Sequence, residues 1–181
     1  MTTDQRKELA LRIARLAVTS RLQDLSLFTQ EGEVQRGSSI LAVLERLDPG
    51  TYLIGAGPYT QGMHLLLGDE TVLGRLATPL EEPRDQAVDI FVNDAPAFQP
   101  REVSRVHAVI MRTHDSSHEE YWLLDRGSTC GTYVNGEKLA PSPAQSLDDI
   151  GRIGRKLNHA DVISLGPSHV NVFVLVDLKS N

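Results

Sequence analysis

Thr132-Tyr133-Val134-Asn135-Gly136-Glu137-Lys138-Leu139 carries the plainest structural instruction in the chain. Two short β-type runs are parted by Asn-Gly, the pair that most readily takes positive φ at both central positions of a type I′ turn. The stretch predicts a tight hairpin. The same grammar recurs on both sides of it. Short β-type runs fall near 51–56, 63–67, 71–76, 88–92, 107–113, 120–125, 161–165 and 170–177, with Gly68-Asp69 as one of the turns between them. Short strands spaced in this way predict an all-β sandwich or barrel. Residues 93–102 and 140–156 read as long polar loops.

Upstream of the hairpin, Val103-Ser104-Arg105-Val106-His107-Ala108-Val109-Ile110 sets a hydroxyl beside a guanidinium where a polar loop becomes an apolar run. Such a loop can present Ser104 and Arg105 to a phosphate while His107 braces it from beneath. Taken alone, Ser-Arg-x-His equally suits a solvated loop entering a strand. The flanking sequence has to decide between the two.

At 181 residues the chain has room for one domain and an extension. Its hydrophobic content of 40% and charged content of 23% are those of a soluble globular protein. A formal net charge of −6 argues against general nucleic-acid binding, which needs a basic field. It still allows a small basic pocket on an acidic body. The one cysteine, Cys130, excludes an internal disulfide and suits a reducing compartment. No apolar run approaches the roughly 20 residues that span a bilayer. Met1-Thr2-Thr3-Asp4 lacks the basic and apolar regions of a signal peptide. The expected location is cytoplasmic, without a membrane partner.

Residues 4–28 predict a helix capped by Thr2, Thr3 or Asp4. Arg12, Arg15, Thr19, Gln23 and Ser26 form one polar stripe, and most of the remaining circumference is apolar. A face that wide implies two contacts: the body and a second helix, or the body and another subunit. Residues 29–38, with Gly32 and Gly37, read as a loop. A short helix over 40–47 follows, closed by Asp48-Pro49-Gly50. The expected organisation is a helical extension over 1–49 and a β-domain over 50–181.

The residues in order resemble those of the forkhead-associated (FHA) domain, a reader of phosphothreonine peptides. Leu73-Gly74-Arg75 resembles the family's Gly-Arg at the end of its third strand. Asp89-Ile90 resembles its Asp-Ile, and Ser104-Arg105-Val106-His107 its Ser-x-x-His. The run from Asp125 to Gly136 resembles Gly-Ser-Thr-Asn-Gly-Thr-Phe-Val-Asn-Gly with one change. Ala160-Asp161-Val162-Ile163-Ser164-Leu165-Gly166 resembles the late Gly-Asp-x-Ile-x-Leu-Gly strand. The likeness covers about residues 51–178. It implies a mainly β fold, an FHA-like β-sandwich of about eleven strands, here preceded by a short α-helical extension. The peptide is then bound on loops at one end.

The resemblance assigns Arg75 and Ser104 to the phosphate, with Arg105 as a second cation and Thr129 supporting the phosphate or its loop. The chemistry agrees. A phosphate monoester carries about −1.5 to −2 charge and three acceptor oxygens. Its site needs guanidinium, hydroxyl and N–H donors fixed in advance. Gly74 would allow close backbone passage, and His107, Gly131 and Gly136 are carried over as structural. Asn135 would shape the hairpin and the loop beside it. Cys130 departs from the family, which most often has an Asn that bonds the peptide backbone here, and a thiol substitutes poorly for an amide.

The expected function is a phosphothreonine-dependent adaptor acting downstream of a Ser/Thr protein kinase, with no catalytic residue, cofactor or metal. Self-association through the amino-terminal helices is a further use for their wide apolar face. The rival is a phosphate-independent scaffold in which Cys130 marks decayed peptide binding. Other constellations weigh less. His114-Asp115-Ser116-Ser117-His118-Glu119 offers metal-ligand residue types but has turn composition. Gly55-Ala56-Gly57-Pro58 with Gly62 has no helix after it, as a dinucleotide loop would. Ser104 with His107 lacks the acid and oxyanion site of a hydrolase.

Overall fold

In the computed structural model, described over residues 1–19, 30–57, 60, 62–75, 87–92, 102–115, 118–142, 150–168 and 170–178, two helices precede a two-sheet β-sandwich. Helix α1 spans Thr3–Thr19 and α2 spans Gln30–Leu44. The strands are β1 Thr51–Gly55, β2 Met63–Leu65, β3 Glu70–Arg75, β4 Ile90–Val92, β5 Ala108–Asp115, β6 His118–Asp125, β7 Thr132–Val134 and β8 Glu137–Lys138. A short helix α3 at Ile150–Ile153 leads to β9 Arg155–Leu157, β10 Val162–Leu165 and β11 Val172–Asp177. The first sheet is ordered β2-β1-β11-β10-β7-β8 and the second β4-β3-β5-β6-β9. The β3–β4 pair is parallel, with Asp89 closing it: the Val72 N–H donates to Asp89 Oδ2 (2.7 Å).

Side-chain alternation fills the space between the sheets. Leu53, Leu73, Ile110, Leu123, Ile163, Phe173 and Leu175 form one buried cluster. The intervening residues of β1 and β11, which include Tyr52, Ile54, Val172, Val174 and Val176, face the other way. They pack on Leu9, Ala10, Ile13 and Leu44 of the helices. Strand β11 is apolar along nearly its whole length because both of its faces are covered.

Helix α1 opens on a capping box. The Thr2 N–H donates to Gln5 Oε1 (2.8 Å), and the Gln5 N–H donates to Thr2 Oγ1 (3.3 Å). Arg12 and Arg15 of the polar stripe are exposed, while Leu9, Ala10, Ile13 and Ala14 are buried. The two contacts expected of the wide apolar face are therefore the sheet and a second helix. The continuation of α1 expected over 20–28 lies outside the described residues.

Two local expectations are corrected. Residues 30–38, read as loop, are the first part of α2. A Cβ on Gly37 would lie 2.8 Å from Leu11 Cδ2, so its absence lets the helices approach. That packing outweighs the roughly 1 kcal/mol a glycine costs inside a helix. The end of the expected 140–156 loop is α3 and β9, while 143–149 lie outside the described residues, as do 93–101 of the other long loop. Strand β9 was hidden by its charges. Arg155 and Lys156 are exposed at a sheet edge, where charge discourages unwanted strand pairing, and Lys156 pairs with Glu120.

Candidate phosphate-binding site

Ser104 is the junction of one end of the sandwich. Its carbonyl accepts the Arg75 N–H (3.1 Å), which fixes the end of β3 beside it. Its own N–H donates to His107 Nδ1 (3.0 Å). Its Oγ accepts the Thr129 N–H (3.2 Å), joining the β4–β5 loop to the β6–β7 loop. A hydroxyl that accepts in this way keeps its proton to donate outward. Arg75, Ser104, Arg105 and Thr129, predicted from three separate loops, thus lie at one end of the fold. Arg75, Ser104 and Arg105 are half-buried and Thr129 is exposed. Gly74 makes the crossing possible. A Cβ there would strike the Arg105 carbonyl, whose carbon would lie 2.9 Å away.

His107 lies beneath this junction at 0% exposure. Because Nδ1 accepts the Ser104 N–H, the ring proton sits on Nε2, which donates to the Gly131 carbonyl (3.1 Å). The neutral tautomer is the one both bonds require. Burial pushes the His107 pKa below its ordinary value; the Gly131 carbonyl and the Asp125 carboxylate oppose that shift without reversing it. Its main-chain groups join the same web, the N–H donating to Leu73 and the carbonyl accepting from Arg126.

The other loop is organised by Asp125, a residue given no role of its own in the sequence. It is 1% exposed, and its carboxylate accepts three bonds: from the Ser128 N–H (2.8 Å), Ser128 Oγ (2.6 Å) and Thr132 Oγ1 (2.6 Å). Ser128 Oγ in turn accepts the Gly131 N–H (2.9 Å). A buried carboxylate satisfied in this way holds the turn in one shape. Gly131 has φ of 90°, and its carbonyl also accepts the Gly166 N–H (2.9 Å). The available signal was Asp-x-x-Ser, the spacing of a side-chain-closed turn.

Cys130 is half-buried, and its carbonyl accepts the Tyr133 hydroxyl (3.4 Å). Asn135 is not brought to the cluster. It stands at the far end of β7 from Thr132, with φ of 51° and Gly136 following at 86°, as the predicted turn requires. Its amide is engaged at both ends, donating to Asp161 Oδ1 (2.7 Å) and accepting the Val162 N–H (2.9 Å). That geometry clasps the hairpin to β10. His114 lies 3.7 Å from Asp69 and 4.0 Å from Glu119, but Arg112 already pairs with both carboxylates, at 3.0 and 3.6 Å. Strand β1 ends at Gly55, and the next element among the described residues is strand β2 rather than a helix. No described helix is long and apolar enough to cross a membrane.

Comparison with known proteins follows the same lines. The sequence model of the FHA domain matches residues 71–166. No curated protein sequence matches the chain. Among solved structures, full-length yeast Pml1p is 16% identical, with 70% of this chain and 80% of that one covered and a TM-score of 0.52. The yeast Pml1 splicing factor, in work on its integration into the RES complex, is 15% identical, covering 77% and 89%, with a TM-score of 0.53. The FHA domain of the Chlamydia trachomatis CT664 protein is 22% identical, covering 70% and 96%, with a TM-score of 0.48. At these identities the likeness to the yeast proteins is one of fold.

Proposed function

Because the chain belongs to the FHA domain family, we propose that it binds phosphothreonine-containing protein segments at the loop end built around Ser104. One observation carries this reading. The carbonyl, N–H and hydroxyl of Ser104 each hold a different part of the site: Arg75, His107 and Thr129. The main chain that carries these donors is thereby fixed before a ligand arrives, which limits the ordering cost of binding. Arg75 and Ser104 take the phosphate, Arg105 adds charge, and Thr129 supports the loop. The role is that of an adaptor rather than an enzyme, and the ligand implies a Ser/Thr protein kinase upstream. The lone thiol and acidic body suit the cytoplasm.

Residues 1–49 are proposed as an extension of an FHA domain over 50–181, with self-association as its second use. Light scattering on the full chain and on the chain without 1–49 tests both. Equal monomeric mass would remove the assembly role. The reading of the site is tested by calorimetry with matched phosphothreonine and threonine peptides drawn from a library selection. Binding of the phosphorylated member alone is expected, with loss in Ser104→Ala. Equal affinity for the two peptides would favour the phosphate-independent scaffold.

A further inference from the structure

Lys138 follows the Asn135-Gly136 turn and lies opposite Tyr133 across the hairpin. Its side chain folds back over the binding loop. A Cβ built on Gly131 would clash with Lys138 Cε and lie 3.1 Å from Nζ. The ammonium is therefore held beside Gly131, two residues along the chain from Thr129, whose N–H Ser104 anchors. It is 5.9 Å from the Tyr133 ring centroid and, among the described residues, forms no ion pair. Among the described residues, the acids of the adjoining hairpin, loop and strand are engaged elsewhere. Glu137 pairs with Arg155 (3.3 Å), Asp125 is buried under Ser128 and Thr132, and Asp161 is bonded to Asn135 and Asn158. An exposed cation without a carboxylate thus borders the loop, at the point where Cys130 provides no amide.

We propose that Lys138 is a specificity residue that selects an aspartate or glutamate flanking the phosphothreonine in the bound segment. The inference rests on the phosphothreonine reading of the site. A second anion beside the phosphate gives the ammonium a carboxylate partner, which it lacks among the described residues. It also helps retain a ligand whose backbone the thiol does not hold.

The test uses a peptide library with fixed phosphothreonine and randomised flanks, and the same library built on threonine. Both are passed over the wild type, Lys138→Met and Lys138→Arg. Met keeps an apolar stem over Gly131 and removes the charge; Arg restores the charge. The wild type is expected to retain the phosphorylated library and enrich Asp or Glu at a flanking position by about two- to fivefold, the range of an exposed ion pair. Salt should shrink that enrichment. It should vanish in Lys138→Met and return in Lys138→Arg. A phosphorylated library retained without acidic preference, or with the same preference in Lys138→Met, overturns the role of Lys138 and leaves the phosphothreonine reading standing. A wild type that treats both libraries alike overturns the reading of the site, and this inference with it.

Discussion

The two ends of the chain's interior are built from opposite materials. Where the helices meet the first sheet, the contact is apolar: Leu9, Ile13 and Leu44 on Tyr52, Ile54 and Val174. Where the loops meet, the buried groups are His107, Asp125 and Thr132, each satisfied by a directed bond. Burial of a side chain such as Leu or Ile contributes about 1.5–3 kcal/mol and tolerates small shifts. A directed polar web contributes less net energy per bond, about 0.5–1.5 kcal/mol, but fixes positions and is costly to leave half made. The helical face therefore supplies stability, and the loop end supplies geometry.

Substitutions at the two ends should separate accordingly. The largest effect expected is on binding. Arg75→Ala should weaken phosphopeptide affinity by about 2–5 kcal/mol, the cost of leaving a buried charge unmatched. Undiminished affinity by calorimetry would remove Arg75 from the site. At the other end, Ile13→Ala should lower unfolding free energy by about 2–5 kcal/mol through the cavity it leaves. Phosphopeptide affinity at a temperature where the variant stays folded should not change. If denaturant melts and calorimetry move together in this variant, the division between the ends fails.

A smaller effect concerns pH and His107. Its pKa is lowered in the fold, so below about pH 6.5, the usual value, the unfolded chain binds the proton more readily. The stability it contributes is full above that pH and declines as pH falls towards the folded pKa. Protonating Nδ1 in the folded protein would displace the Ser104 N–H, so phosphopeptide affinity should weaken at more acid pH than stability does, as pH falls through the lowered folded pKa. Thermal melts followed downward from about pH 8 would show the loss of stability, and peptide titrations carried further into acid would show the loss of affinity. Stability that does not fall below about pH 6.5 would mean that burial does not lower the His107 pKa. The smallest effect is expected at Cys130. One added side-chain bond in Cys130→Asn should tighten binding about two- to tenfold, with phosphate dependence retained. Weaker binding with an intact fold would mean that the thiol fits an apolar surface of the ligand.

The polar end was more legible in sequence than the apolar one. Asn135-Gly136 announces its turn because few residue pairs tolerate both of its φ values. Gly74, Ser104, Arg105 and His107 were singled out because their order resembles that of the FHA family, and the structure brings their backbones together. Asp125 escaped because an acid near Ser and Gly looks like any solvated turn; only its burial reveals the hub. Lys138 escaped because a lysine on a hairpin is ordinary until its reach over Gly131 is seen. Helix α2 was obscured by Gly32 and Gly37; the local cost at Gly37 is outweighed by its close packing on Leu11, which no local pattern records. Strand β9 was obscured because edge strands favour the charges that also mark loops. The unbroken apolar run of β11 already implied a cover on both faces, but not which element supplied the outer one.

The closing pair of strands has a mechanical consequence. Strands β1 and β11 run antiparallel, with Thr51 opposite Asp177 and Gly55 opposite Phe173. Thr51 and Asp177 lie at the end of the first sheet away from Thr132 and Leu165, hence away from the Ser104 junction. Tension applied between Thr51 and Asp177 would load the cross-strand bonds one after another, as in peeling, rather than together, as in shear. Such a seam gives way at low force, and it opens from the end remote from the loops. Attachments at those two positions would leave the loop end unobstructed, and the Ser104 junction would be the last part of the sandwich to feel the pull.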